Sequence, residues 1–321
     1  MIRLDGVTRV YATPRGNVAA VDDVSFEVDE GDICVLLGPS GCGKTTTLRM
    51  INRLVAPTAG KIFIGGRDTD AIDPVLLRRG IGYVIQQIGL FPNMTVAENI
   101  GVVPRLLGWD ASKWRRRAEE LLALFALEPA HFLDRYPNEL SGGQAQRVGV
   151  ARALAVDPPV LLMDEPFAAL DPINREVIQD EFLRMQKTLR KTILFVSHDI
   201  DEAVKMADRI AIFRAGKLVQ FAAPDVLLAR PVDDFIASFV GHDRTLKRLR
   251  LIRAHEVMAP AVAEHAAEGP SVSIDDDLRR VAALFLEHAG HALNCVDAQG
   301  RIVGCITRAA VAARLAPEDV P

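Results

Sequence analysis

The sequence predicts an α/β fold with a helical insertion and a smaller second domain, and three observations predict it. Short apolar, β-rich runs at 24–28, 33–37, 61–64, 81–85, 160–163, 192–197 and 209–213 are interspersed with stretches of helical character, the pattern of strands alternating with helices. Within 96–155 that series is interrupted by the most helix-rich interval, which includes WDASKWRRRAEELLALFAL with leucines at helical spacing. After Phe239 the character changes to a basic run carrying Arg244, Lys247, Arg248, Arg250 and Arg253, and then to a separate β-α-β-β-α pattern. The expected organisation is a main domain over 1–240 with a helical lobe at about 90–155, a basic linker over 241–255 and a small α+β domain over 256–321.

Composition sets the outer limits. The 321 residues exceed an ordinary single domain of about 100–200. A hydrophobic share of 49% with 25% charged residues is globular composition, and 6% aromatics leaves the interior to aliphatic side chains. A net charge of −4 gives no overall attraction to nucleic acid or anionic lipid, so any such contact rests on a local patch. The basic run at Arg244–Arg253 is the candidate patch for anionic lipid, against a plain linker helix with Leu246, Leu249 and Ile252 packed on the main domain. Four cysteines, Cys34, Cys42, Cys295 and Cys305, lack paired spacing, which favours a reducing compartment and no cysteine metal site. The N-terminus has no apolar signal core, and no window approaches the ~18 apolar residues of a membrane span. The expected location is therefore cytosolic, with any membrane crossing left to another chain.

The first chemical motif follows the strand-like DICVLL. Gly38, Pro39, Ser40, Gly41, Cys42, Gly43, Lys44 and Thr45 fit GxxxxGK[ST], with Thr46 opening a helix-compatible stretch. Glycines let the backbone curl so that its N–H groups point at phosphate oxygens, and the helix that follows directs its positive end at the same charge. Lys44 is expected to reach the β and γ phosphates of ATP, and Thr45 to ligate Mg²⁺.

Four apolar residues from Val160 to Met163 end at Asp164 and Glu165. A buried parallel strand here delivers two carboxylates to the sheet edge where α/β folds place ligands. Asp164 suits Mg²⁺, and Glu165 suits polarisation of an attacking water. The stretch Leu140, Ser141, Gly142, Gly143 and Gln144 ends twenty residues before Asp164 and leads into the helix-favouring AQRVGVARALA. Ser141 is a natural helix N-cap, and the Gly142 and Gly143 amides form a second anion-binding helix start.

The order of phosphate loop, LSGGQ, apolar-Asp-Glu and Val196-Ser-His-Asp resembles the ATP-binding cassette (ABC) ATPases across roughly residues 1–240. That resemblance implies further roles. Tyr11 is similar to the aromatic that stacks on adenine, and His198 to the switch histidine at the γ-phosphate and attacking water. Gln86 is similar to the switch-loop glutamine that senses γ-phosphate and Mg²⁺, with Gln87 its competitor; Gln86 stands five residues before the Phe91-Pro92 pair, as in the family. Asp171 is similar to the loop aspartate that communicates between subunits, although Ala168 stands where the family often has serine. The family implies a homodimer in the ATP-bound state, each subunit laying its LSGGQ over the other's phosphate loop.

MINRL, IGYVIQQIGLFPNMTVAENI, VVPRLLGW and DFIASFVGHDRTLKRL resemble ATPase subunits of bacterial osmoprotectant importers, which take up quaternary amines such as glycine betaine, choline or carnitine. The implied partners are integral membrane permease subunits and, indirectly, an extracytoplasmic substrate-binding protein, with the chain on the cytoplasmic face of the bacterial inner membrane and no nucleic acid. Residues 270–315 resemble a single cystathionine β-synthase-like (CBS) motif. The family's nucleotide-binding form has Thr-x-x-Asp, whereas Thr307 is followed by Ala310, so packing or dimerisation is the expected role. Two other readings stay open: an ABC ATPase for another small solute such as an amino acid, and a soluble ABC ATPase acting on nucleic acid or ribosomes. The latter commonly carry two cassettes or a long coiled-coil insertion, which this chain lacks.

Overall fold

The computed structural model describes all residues except 15, 87–88, 169, 261–269, 289 and 316–321. Two compact units result, Met1–Ala223 and Pro224–Pro321.

In the first unit, β1 (Ile2–Thr13) and β2 (Gly16–Val28) form a long antiparallel hairpin, extended by β4 (Ala59–Ile64) and β5 (Arg67–Asp68) into the sheet β2-β1-β4-β5. The second sheet contains β3 (Ile33–Leu37), β6 (Ile81–Val84), β7 (Val160–Asp164), β8 (Thr192–Val196), β9 (Arg209–Arg214) and β10 (Lys217–Ala222), in the order β10-β9-β3-β8-β7-β6. All its pairings are parallel except β10 with β9. Every residue of β3, β7 and β8 is buried, which is why these strands read as continuous apolar runs rather than alternating ones. Helix α1 (Lys44–Ile51) follows β3, α2 (Pro74–Arg79) precedes β6, α8 (Pro172–Leu189) follows β7, and α9 (Ile200–Met206) follows β8.

Between β6 and β7 the described chain is helical or irregular: α3 (Val96–Ile100), α4 (Val102–Leu106), α5 (Ala111–Leu124), α6 (Pro129–Phe132) and α7 (Gly142–Ala153). Thr95 and Glu98 close a capping box at the start of α3, and Asp110 caps α5 through the Lys113 amide at 2.8 Å. Ala118, Leu121 and Leu122 form the buried stripe of α5, as the leucine spacing predicted.

In the second unit, α10 (Pro224–Ala229), α11 (Asp234–Val240) and α12 (Arg244–Arg248) precede a small sheet. Its strands are β11 (Ala259–Pro260), β12 (Ser271–Ser273), β13 (Ala292–Val296) and β14 (Ile302–Thr307), ordered β11-β14-β13-β12, with α13 (Leu278–Glu287) and α14 (Arg308–Leu315). Val272, Leu278, Val281, Phe285, Leu293 and Ile306 are among its core residues.

Here the structure corrects two expectations. The division falls at Ala223 rather than near 240, and the basic segment is not a linker. Leu249 and Ile252 belong to the core of the second unit, while Leu246 is exposed. Four of the five cations are engaged within the protein rather than aligned as a free surface stripe for anionic lipid. Lys247 is buried with its ammonium 2.5 Å from Asp243, and Arg248 is buried with Nε 2.8 Å from Asp225. Arg253 donates to the Asp275 carbonyl at 3.1 Å, and Arg250 is also engaged within the protein. Carboxylates of the second unit hold two of the charges that sequence assigns to a lipid surface, those of Lys247 and Arg248. Arg248→Gln is therefore expected to lower the stability of the second unit by about 1–3 kcal/mol, because a buried charge-assisted hydrogen bond is lost. Thermal melting against Arg244→Gln as a control checks this; equal melting temperatures would return Arg248 to the surface class.

Candidate functional site

Strand order explains why distant motifs meet. The phosphate loop leaves β3, His198 leaves β8, Glu165 leaves β7 and Gln86 leaves β6, and these four strands are neighbours in the order β3-β8-β7-β6. Their C-terminal edges therefore form one continuous rim. Two backbone bonds fix it: the Ser197 amide donates to the Leu36 carbonyl, and the Glu165 amide to the Val196 carbonyl, both at 3.1 Å.

The phosphate loop is glycine-dependent at two positions in particular. Gly38 has φ +141°, and a Cβ there would lie 2.2 Å from the Phe213 carbonyl oxygen. Gly43, at φ +108°, would place a Cβ 2.4 Å from the Ala20 carbonyl oxygen. Gly43 is also the N-cap of α1, and no side chain caps that end, which leaves the first-turn amides available to an anion. Lys44 is buried and donates to the Gly38 carbonyl at 2.6 Å and the Pro39 carbonyl at 3.0 Å, with the Cys42 sulfur at 3.7 Å.

A cavity of about 510 Å³ is lined by Ser40, Gly41, Cys42, Gly43, Lys44, Thr45 and Thr46 on one side, and by Gln86, Glu165 and His198 on the other, with Ala20 at its margin. The Thr45 hydroxyl donates to Asp164 Oδ1 at 3.0 Å. Burial pushes the Asp164 carboxyl up, aided by the charge of Glu165 and opposed by the Thr45 hydrogen bond, Arg49 and Lys44. Glu165 has φ +46°, a strained conformation for a non-glycine residue that costs about 1–3 kcal/mol and turns its side chain off the strand line. Its Oε2 accepts from Gln86 Nε2 at 3.0 Å and lies 3.5 Å from His198 Nδ1. One carboxylate thus gathers the ends of three strands. Gln87, the competitor of Gln86, lies outside the described residues.

Ser141, Gly142, Gly143 and Gln144 line a different cavity, of about 600 Å³, together with Asp171 and Asn174. Ser141 and Gln144 close a capping box at the start of α7, with the Gln144 amide 3.3 Å from Ser141 Oγ and the Ser141 amide 2.9 Å from Gln144 Oε1. Asp171 caps α8: Oδ1 accepts from the Asn174 amide at 3.1 Å and Oδ2 from its side chain at 2.6 Å. The Asn174 side chain and backbone together hold the Asp171 carboxyl below the usual range. Within one chain the LSGGQ cavity and the phosphate-loop cavity are lined by separate residues.

Tyr11 lies on the exposed part of the β1–β2 hairpin, opposite Val18. It does not line the phosphate-loop cavity, and the Arg9 guanidinium covers its ring at 4.5 Å. Ala20 is a wall residue that sequence reasoning missed, since a small side chain in a strand carries no chemical signal. Arg175, Gln179 and Glu202 were also missed.

The fold agrees with that of known proteins. A family model described as "ABC transporter" matches residues 21–168. Osmoprotectant import ATP-binding protein OsmV of Salmonella typhimurium is 55% identical over 96% of this chain and 79% of its own length. Glycine betaine/carnitine/choline transport ATP-binding protein OpuCA of Bacillus subtilis is 48% identical over 95% of this chain and 78% of its own. Among solved structures, the dimeric post-hydrolysis state of the ATP-binding cassette MJ0796 bound to ADP and Pi aligns with a TM-score of 0.63 at 35% identity, covering 70% of this chain and 98% of that one. Among the described residues no helix is long and apolar enough to cross a membrane. With its phosphate loop, paired carboxylates and LSGGQ helix in place, and with relatives this similar along nearly its whole length, the chain belongs to the ABC transporter family as an ATP-binding, ATP-hydrolysing subunit.

Proposed function

We propose that this chain drives import of a quaternary amine osmoprotectant, of the glycine betaine, choline or carnitine type, through a partner membrane permease. The observation that carries the reading is the rim cavity itself, in which Lys44, Thr45, Gln86, Glu165 and His198 converge, combined with 48–55% identity to subunits named for such import. In this reading Gly38, Ser40, Gly41, Cys42, Gly43 and Thr46 cradle the phosphates and Lys44 carries the counter-charge. Glu165 orients and deprotonates the attacking water, His198 holds its place beside the γ-phosphate, and Gln86 reports the state of that carboxylate to the loop it begins. Tyr11 stacks on adenine once Arg9 yields its face.

Thr45, Asp164 and Gln86 present the hard oxygen donors that suit Mg²⁺, which keeps several water and phosphate ligands and needs no closed protein cage. The Thr45–Asp164 contact already brings two of those donors together. When bound, the ion neutralises phosphate charge.

Because LSGGQ and Asp171 line a cavity of their own, a second copy of this chain supplies the missing half of each nucleotide site, and ATP closes the homodimer. An apolar groove of about 360 Å³ beside the Gln86 loop, with Leu54, Tyr83, Ile85, Phe91 and Val103 in its lining, suits an apolar element of the permease. That arrangement puts the chain on the cytoplasmic face of the inner membrane, with an extracytoplasmic binding protein delivering the amine. Residues 256–321 carry a single CBS-like motif, at 270–315, that serves packing or dimerisation. Its Thr307 hydroxyl accepts the Ala310 amide at 3.1 Å and so caps α14, with no acidic residue at position 310 for a ribose.

The test is to co-purify the chain with its membrane partner, reconstitute the complex in vesicles with ATP on the side of this subunit, and measure uptake of labelled glycine betaine, choline and carnitine. ATP-dependent uptake of at least one is expected. Recovery without any membrane protein, or ATPase stimulation by nucleic acid instead, would overturn the reading.

A further inference from the structure

We propose that Glu202 is a positioning residue for ATP hydrolysis: it locks the Ser197–His198–Asp199 turn to α8 and so sets His198 against Glu165. The proposal rests on the role assigned above to His198 and Glu165.

The His198 side chain is 62% exposed, and its one described polar contact is the 3.5 Å approach to Glu165. An imidazole so free of neighbours cannot hold its own position to the few tenths of an ångström that a reacting centre needs. Its placement must come from the residues on either side, and both are tied down. The Ser197 hydroxyl is buried and donates to Glu202 Oε2. The same hydroxyl accepts the Asp199 amide at 3.0 Å, so one oxygen spans the turn that carries His198. Asp199 Oδ1 then accepts the amides of Asp201 at 2.8 Å and Glu202 at 3.4 Å, which fixes the start of α9.

The other carboxylate oxygen reaches across to a different helix. Glu202 Oε1 accepts from Gln179 Nε2 at 2.9 Å, and both side chains are buried. Gln179 lies on α8, whose N-cap is Asp171. A second strap runs parallel to the first: Arg175 donates to the Leu170 carbonyl at 2.9 Å, and its other terminal nitrogen lies 3.7 Å from Asp199 Oδ2. Through these two straps the helix that begins at the LSGGQ cavity is bound to the turn that presents His198 to the phosphate-loop cavity.

A buried carboxylate is costly to maintain, and burial raises the Glu202 carboxyl against the hydrogen bonds of Ser197 and Gln179. A glutamate in the first turn of a helix serves that helix equally well from its solvent face. The inward geometry of Glu202 is explained by what it joins, the turn after β8 that carries His198 and the helix α8 that begins at Asp171, rather than by α9 alone.

The experiment compares Glu202→Ala, Glu202→Gln and Ser197→Ala with the parent in steady-state ATPase assays, with ATP affinity measured separately and Glu165→Gln run alongside. Loss of the brace is expected to lower kcat by about 10- to 100-fold in Glu202→Ala and Ser197→Ala, since small misplacements of reacting groups carry penalties of that order. ATP affinity and KM should stay within about threefold of the parent, because the phosphate grip is untouched. Glu202→Gln should keep most of the activity, as an amide can accept from Gln179 and donate to the Ser197 oxygen. Should Glu202→Ala fail to fold, Ser197→Ala carries the same test. A kcat within about twofold of the parent in Ser197→Ala, or kcat and affinity falling together, overturns the brace. Normal turnover in Glu165→Gln would instead show that the catalytic assignment beneath it is wrong.

Discussion

Glu165→Gln is expected to leave ATP binding intact while lowering the hydrolysis rate by about 10²–10⁴-fold, the range for removing a general base. The geometry separates the two effects. Glu165 touches Gln86 and His198 across the cavity from the phosphate loop, whereas the loop residues hold themselves through Lys44 and the glycines. Glutamine has the same shape and still pairs with the Gln86 side chain by turning its amide, so the strained backbone at φ +46° and the rim contacts are retained. What disappears is the negative charge that withdraws a proton from water. A subunit that binds ATP but cannot hydrolyse it should accumulate as the closed dimer. Equilibrium nucleotide binding, ATPase rate and the dimer fraction in ATP by light scattering check all three consequences. Normal turnover would remove Glu165 from the catalytic role, and a monomer in saturating ATP would remove the shared-site arrangement.

Much of this site was legible because its parts are local. A phosphate loop must follow a strand and open a helix within a few residues, so Gly38–Thr45 announces itself, and the apolar runs before Glu165 and His198 are apolar because their strands are buried on both faces. The β1–β2 hairpin was largely missed, apart from 24–28. Its strands mix polar and apolar residues and are about half exposed, with register shifts at Leu4/Val7, Val7/Arg9 and Arg9/Val10 that break the period-two alternation. Tyr11 sits on that irregular hairpin, and its pairing with Arg9, two residues away on the same strand, becomes readable only once the strand is recognised. The basic segment misled for a related reason. Charge density reads as solvent exposure unless a carboxylate is known to be near, and Asp225, the partner of Arg248, stands on another helix 23 residues earlier. Glu202 was invisible for the converse reason, since on the sequence it is one more acid in a first helical turn and only the fold turns it inward toward Ser197 and Gln179.

Lys44→Ala should produce the opposite signature, with ATP affinity reduced by about 10- to 100-fold, the equivalent of one or two charge-assisted hydrogen bonds. The lysine is buried, and its ammonium is held by the Gly38 and Pro39 carbonyls at 2.6 and 3.0 Å, which aim a compact positive charge into a loop whose amides also face a ligand. ATP phosphates compete for that ammonium on better terms than neutral carbonyls, because the acceptor is charged and the exchange brings no new desolvation of the lysine. Alanine removes the charge and leaves the two carbonyls to water. The loop loses the two bonds from the lysine, but Gly38 and Gly43 stay packed against the Phe213 and Ala20 carbonyls, so the loop should largely keep its course and the variant should fold. Titration with a fluorescent ATP analogue, with melting temperature as the folding control, separates lost binding from lost structure. An affinity unchanged within about twofold would mean that the amides of the loop and α1 hold the phosphates without the lysine. A fall in affinity with turnover per bound ATP preserved would place Lys44 in binding alone and leave the chemistry to Glu165 and His198.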